Sequence, residues 1–247
     1  MKSLPRDASC NCFDQHTAQE WLEIPLHAET QNTECSGWKR LLALIDEAAE
    51  DKRQEFAPLQ EMTWEERMEI VTLPPTISKL KSVKHLLLYR SWLVRIPPEI
   101  GEMTNLEKFT PYTSYKLHWY PYEITRCKKL MDSTVSTRAL YGNYKFRPPF
   151  PKLQDGRAST EGLELNNLSP TLWGTDSIKT CSVCNRPLEN RGLHQVWISL
   201  LVATDVLPLL VNACSEECIQ ALPMPSDNYV SEPHKGGLDV IQPPPRY

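Results

Sequence analysis

The segment LPPTISKL beginning at residue 73 returns as IPPEIGEM at 96, YPYEITRC at 120 and FRPPFPKL at 146, separations of 23, 24 and 26 residues. Self-similarity at a period of about 20–29 residues marks stacked units, each too small to bury its own apolar face without its neighbours. The middle of the chain, 73–157, is therefore expected to form a stack, and the flanking segments must supply its ends.

The first unit is the most regular. Leu80, Val83, Leu86, Leu88, Leu93 and Ile96 are its inward positions, Met103, Leu106 and Phe109 continue the pattern, and Cys127, Leu130 and Val135 hold the third unit. These residues, and the run IPPEIGEMTNLEKF in particular, resemble the leucine-rich repeat proteins, especially the short bacterial kind. The resemblance implies a curved stack with a parallel sheet on its concave side, recognition of a partner and no reaction. The ladder position that the family usually fills with Asn is Ser91, Ser114 and Arg138 here, and units two and three are longer than the first by one and three residues, which predicts irregular curvature.

Ahead of the repeats, 37–72 is read as a helical cap. Trp38, Leu41, Leu42, Ile45 and Ala49 recur at helical spacing and predict an amphipathic helix over 38–55. Thr63 and Glu66 stand at capping-box spacing and predict a second, short helix. Residues 1–36 are polar and irregular and are read as a loosely ordered arm. MKSLPRDASCNC carries no apolar run, so no secretory signal is read, and a reducing, cytoplasmic setting follows in which the eight cysteines do not form a disulfide framework.

The cysteines cluster late in the chain. Cys181 and Cys184 form a CxxC knuckle, and after 29 intervening residues Cys214 and Cys218 supply a second pair. Between them VWISLLVATDVLPLLV is too short and too interrupted for a membrane span and is read as two buried strands with a turn around Ala203–Pro208. Four thiolates satisfy a Zn²⁺ ion, and four sulfur ligands close its coordination sphere, so a structural zinc is expected in a module over 179–224. Knuckle, hairpin and helix-borne pair resemble a treble-clef zinc finger, a likeness carried by these four cysteines alone, with Cys214 at a helix N-terminus. Cys127 is read as core. Cys10 and Cys12, with His16 or Cys35, make only a weak case for a second metal, because a CxC without a second pair is not specific.

The expected architecture is α+β: a short leucine-rich repeat solenoid with a helical N-terminal cap, a linker over 158–178, a small zinc-bound hairpin and helix module, and an extended tail over 225–247. Alternation along each strand turns His85, Leu87 and Tyr89, then Lys108, Thr110 and Tyr112, then Asp132, Thr134 and Ser136 toward the concave side, as a face for another protein. Nucleic acid is the alternative partner. Residues 73–157 carry fifteen bases against six acids, and YTSYKLHWYPYE interleaves aromatics with Lys116 and His118 in a manner suited to stacking on single strands. The acids of 41–72, nine against three bases, oppose that reading by neutralising the excess. An enzyme of another type is a third alternative, but no phosphate-binding glycine loop, GxSxG or HExxH is present.

Overall fold

The computed structural model describes residues 10, 12–13, 17–153, 157–159, 162–164, 178–188 and 193–246. Helices α1 (Ala18–Leu22) and α2 (Ser36–Glu50) come first, followed by strand β1 (Glu55–Phe56) and helix α3 (Trp64–Met68). Strands β2 (His85–Leu87), β3 (Lys108–Thr110), β4 (Tyr120–Pro121) and β5 (Asp132–Ser133) alternate with 3₁₀ helices at Pro75–Lys79, Pro98–Glu102 and Tyr122–Arg126. A hairpin, β6 (Arg157–Ser159) with β7 (Gly162–Glu164), precedes the long pair β8 (His194–Val202) and β9 (Asp205–Ala213) and the short helix α4 (Glu216–Gln220). The fold is thus α+β with small sheets.

Helix α2 buries Trp38, Leu41, Leu44, Ile45 and Ala48 along one stripe. It starts where the Cys35 thiol accepts the Trp38 N–H. It ends at Glu50, five residues earlier than its periodicity predicts. Lys52 adopts φ 52°, and the N–H groups of Lys52 and Arg53 return to the carbonyls of Ala49 and Ala48, the hydrogen-bond pair of a Schellman stop. The released chain at once forms β1, an edge strand that two residues of sequence do not announce. Helix α3 carries the expected capping box, Thr63 accepting from Glu66 N–H and the Glu66 carboxylate accepting from Thr63 N–H.

Strands β1, β2, β3 and β5 form one parallel sheet in that order. Glu55, His85, Lys108 and Asp132 stand side by side in one row, and Phe56, Leu86, Phe109 and Ser133 in the next. The first three residues of the second row have no exposure, and Ile77, Ile100 and Ile124 of the three 3₁₀ helices meet them from the other side. Gly101 allows the second and third 3₁₀ helices to touch, since a Cβ there would lie 2.5 Å from the Glu123 carbonyl. The inward positions read from the repeat, Leu80 to Ile96, Met103, Leu106, Phe109 and Cys127, are all buried. Cys127 Sγ also donates to the Ile100 carbonyl.

The row ends in a polar residue, and this is where the second sheet docks. Ser133 Oγ lies within hydrogen-bond distance of Val202 O, Thr204 Oγ1 and Asp205 Oδ2 at the tip of the β8–β9 hairpin. Behind it β4 pairs in parallel with β9, Tyr120 opposite Leu209, giving the order β4-β9-β8. Trp119 and Trp197 meet edge to face, and one apolar core runs through both sheets. The hairpin turn is tighter than expected: it is confined to Ala203, at φ 55°, and Thr204, and Pro208 lies within β9 opposite Ser199.

Two segments are more ordered than their composition suggests. In the arm, Cys12, Trp21 and His27 are buried, and Arg95 donates to the carbonyls of His27 and Glu29. In the tail, His234 and Trp197 exchange backbone hydrogen bonds of 3.0 and 2.8 Å, and Leu153 N–H donates to Lys235 O. Gly236, at φ +70°, has no room for a Cβ, which would lie 2.1 Å from the Pro151 carbonyl. The tail therefore laces Phe150–Leu153 to β8 rather than extending away. The expected linker, with Leu165, Leu172 and Trp173, lies for the most part outside the described residues. Among the described residues no helix is long and apolar enough to cross a membrane.

Candidate metal centre and binding face

All eight cysteines are free thiols. Cys181, Cys184, Cys214 and Cys218 bring their sulfurs within 4.8 Å of one another, with Cys184 to Cys214 and Cys214 to Cys218 each at 3.6 Å. Tetrahedral ligation at about 2.3 Å from a central ion places ligand sulfurs about 3.8 Å apart, so the spacing suits a metal ion.

Each pair is set by local backbone chemistry. Around the knuckle, Cys181 N–H donates to Arg186 O and Asn185 N–H to Cys181 O, with Asn185 in the left-handed region that Asn tolerates. The Cys184 N–H points at the Cys181 sulfur, 3.5 Å away. Ser182 ties the knuckle to β9, donating its N–H to Asn212 O at 2.7 Å and accepting the Asn212 N–H on Oγ at 2.9 Å. Arg126 donates to Ser182 O at 2.8 Å and so fixes the knuckle to the third 3₁₀ helix. Cys214 follows β9 directly. It precedes the helix rather than opening it, since Ser215 is the N-cap, accepting from Cys218 N–H, and one turn of α4 returns Cys218 to the cluster.

The thiols, left to themselves, ionise unevenly. The backbone N–H of Arg186 pulls Cys184 down to about 6, whereas burial, reinforced by hydrogen bonding with Cys214 and Cys184, pushes Cys218 up to about 12. Burial likewise raises Cys214. A cation at the centre of the four sulfurs favours the thiolate at each of them.

The residues expected on the sheet face divide into two groups. His85 sits between Glu55 and Thr110, its Nδ1 2.8 Å from the Glu55 carboxylate and its Nε2 3.0 Å from Thr110 Oγ1. Lys108 pairs with Asp132 at 3.2 Å. Leu87 is half-buried and Thr134 exposed. Tyr89 and Tyr112 are 52% and 45% exposed, with ring centroids 6.3 Å apart. Ser136 does not belong to this face. It is buried, because β5 stops at Ser133, and its Oγ accepts the Thr113 N–H at 2.8 Å. It thereby extends an internal serine ladder in which Ser91 Oγ and Ser114 Oγ are 2.6 Å apart, while Arg138 faces solvent.

Sequence pattern did not reveal that Arg90, next in the chain to Tyr89 and with its N–H on Tyr112 O, reaches over a second exposed aromatic, Trp64. Trp64 is 43% exposed, and the Arg90 guanidinium lies 5.6 Å over its ring. Trp64 belongs to α3, outside the repeats, and no spacing rule links it to Tyr89. The aromatic block also differs from its reading as a surface: Lys116, His118, Trp119 and Tyr120 are buried, and Lys116 pairs with Glu29 at 3.0 Å. Comparison with known proteins returns no matching family profile and no significantly similar curated sequence.

Proposed function

We propose that this chain is a non-enzymatic protein-binding protein: a short leucine-rich repeat stack whose concave face receives a protein partner, followed by a treble-clef-like module held by a structural zinc ion. The observation that carries the binding reading is the pair Tyr89 and Tyr112, each about half exposed just past the ends of β2 and β3 and adjacent to each other. Tyrosine is favoured at such surfaces because it offers large contact area and a polar tip at small entropic cost. Arg90, stacked over the exposed Trp64, follows Tyr89 in the chain, and the pairs His85–Glu55 and Lys108–Asp132 stand on the adjoining strands. The zinc reading rests on the donor set, since four thiolates at tetrahedral spacing leave no open position for a substrate or catalytic water.

Burial of Lys116 and His118 weighs against nucleic acid as the partner, because the bases that were to face phosphate are turned inward. The discriminating experiment compares wild type with the Tyr89→Ala, Tyr112→Ala double variant in recovery of partners from native lysate, with and without nuclease. A protein partner that survives nuclease and is lost in the variant supports the reading. Nucleic acid recovered equally by both, with affinity falling steeply as salt rises, would overturn it.

A further inference from the structure

We propose that Cys10, Cys12 and His27 form a second metal site, of mixed sulfur and nitrogen ligation, that staples the N-terminal segment to the repeat region, with His118, which approaches Cys12 alone, closing in as its fourth ligand when an ion binds. This neither uses nor depends on the four-cysteine centre. The ligand atoms of Cys10, Cys12 and His27 lie within 4.8 Å of one another. Cys12 Sγ is 3.4 Å from His27 Nε2 and 3.7 Å from His118 Nε2. A tetrahedral ion with sulfur at about 2.3 Å and nitrogen at about 2.05 Å places those ligand atoms about 3.6 Å apart, between the two observed distances.

The outer partners are those of a metal-binding histidine pair. His27 Nδ1 is held by the Glu29 carboxylate at 2.9 Å, and His118 Nδ1 by the Ala139 carbonyl at 2.6 Å. Hydrogen bonds of this kind keep the proton on Nδ1 and turn the Nε2 lone pair toward the metal. Here both lone pairs converge on one buried sulfur. A cation among these groups accepts electron pairs from the imidazole nitrogens and from the thiolates at once. Glu29 is itself held by Lys116 at 3.0 Å, and Arg95 donates to the carbonyls of His27 and of Glu29 itself, so the His27 loop is tied down from two sides. Two thiolates and two neutral imidazoles favour a borderline-soft divalent cation such as Zn²⁺, and loading it releases the two thiol protons to solvent. Of the two sequence candidates for this site, Cys35 is instead the cap of α2, and His16 lies outside the described residues.

The test is metal titration of the full-length reduced protein with Zn²⁺ and, for its spectrum, Co²⁺. Wild type should bind two equivalents, the second adding about half the thiolate-to-cobalt charge-transfer intensity of the first, as two thiolates against four require. Cys10→Ser alters a partly exposed residue; it should lose the mixed-ligand cobalt spectrum while keeping the four-thiolate one, which also shows that the chain remains folded. Glu29→Gln keeps a hydrogen-bond acceptor beside His27 but removes its charge, and should weaken the second site about 10–100-fold. Wild type saturating at one equivalent with only a four-thiolate spectrum, or Cys10→Ser binding both equivalents as wild type does, would overturn the proposal.

Discussion

Cys184 and Cys214 are 30 residues apart in the chain and 3.6 Å apart at sulfur, with the β8–β9 hairpin lying between them in the chain. The contact is thus closed from two sides, by the thiol cluster and by a hairpin whose residues Trp197, Ile198 and Leu209 have no exposure.

Chelation should therefore split this region. A metal-dependent module standing alone would lose 179–224 as a unit, but β9 is paired to β4 and shares its core with the four-stranded sheet. On treatment with a zinc chelator, hydrogen exchange should accelerate and protease should cut in 179–188 and 214–220, while β8 and β9 stay protected. Loss of protection throughout β8 and β9 would mean that the ion, not the shared core, holds the hairpin.

Gly101→Ala tests the stacking of the 3₁₀ helices. The added Cβ meets the Glu123 carbonyl at 2.5 Å and Glu123 Cβ at 3.0 Å, so backbone must move. Overpacking of this kind costs about 1–3 kcal/mol. Thermal melting should show a drop of about 2–4 °C per kcal/mol for a chain of this size. An unchanged Tm would show that adjacent units can slide apart without cost.

Ser133→Ala tests the joint between the sheets. Its hydroxyl lies 3.0 Å from Asp205 Oδ2 and 3.1 Å from Val202 O, and Thr204 Oγ1 donates back to Ser133 O at 2.7 Å. Burial raises the Asp205 carboxyl and the Ser133 hydrogen bond opposes that rise. Removing the hydroxyl leaves buried acceptors short of a donor, at a cost of about 1–3 kcal/mol in urea unfolding. A larger loss, with the tryptophan fluorescence of β8 shifting first, would mean that the joint carries the whole module.

His234 should make the tail sensitive to acid. Burial lowers it from 6.5 to about 4 in the folded chain. Its Nδ1 accepts the Gly236 N–H at 3.1 Å, and protonating that nitrogen would set two donors against each other. Between these pH values the unfolded chain binds the extra proton and the folded chain does not, so stability is intact above about 6.5 and falls toward 4, by about 2–3 kcal/mol. His234→Gln keeps an acceptor and has no titration, so its stability should fall less across the same window. Parallel curves for the two proteins would dismiss His234 as the cause.

The inward set Leu80, Val83, Leu86 and Leu88 and the quartet of Cys181, Cys184, Cys214 and Cys218 were legible in the sequence, because periodicity and ligand spacing are local patterns that the chain repeats. The Thr63 cap was legible for the same reason. Tertiary structure alone decided that Phe56 opens a sheet, that Ser136 turns inward to continue the Ser91–Ser114 ladder, and that His118 leaves an aromatic surface block to meet Cys12. It also decided that the tail folds back, since His234 is held on Trp197 by backbone groups that every residue possesses. In the first sheet a parallel strand finds its partner 23 to 30 residues away, in the second much further, and a side chain in an irregular loop takes its direction from whatever packs against it. Neither is a property of neighbouring residues, so spacing rules could place the core and the four sulfurs but not the joints between elements.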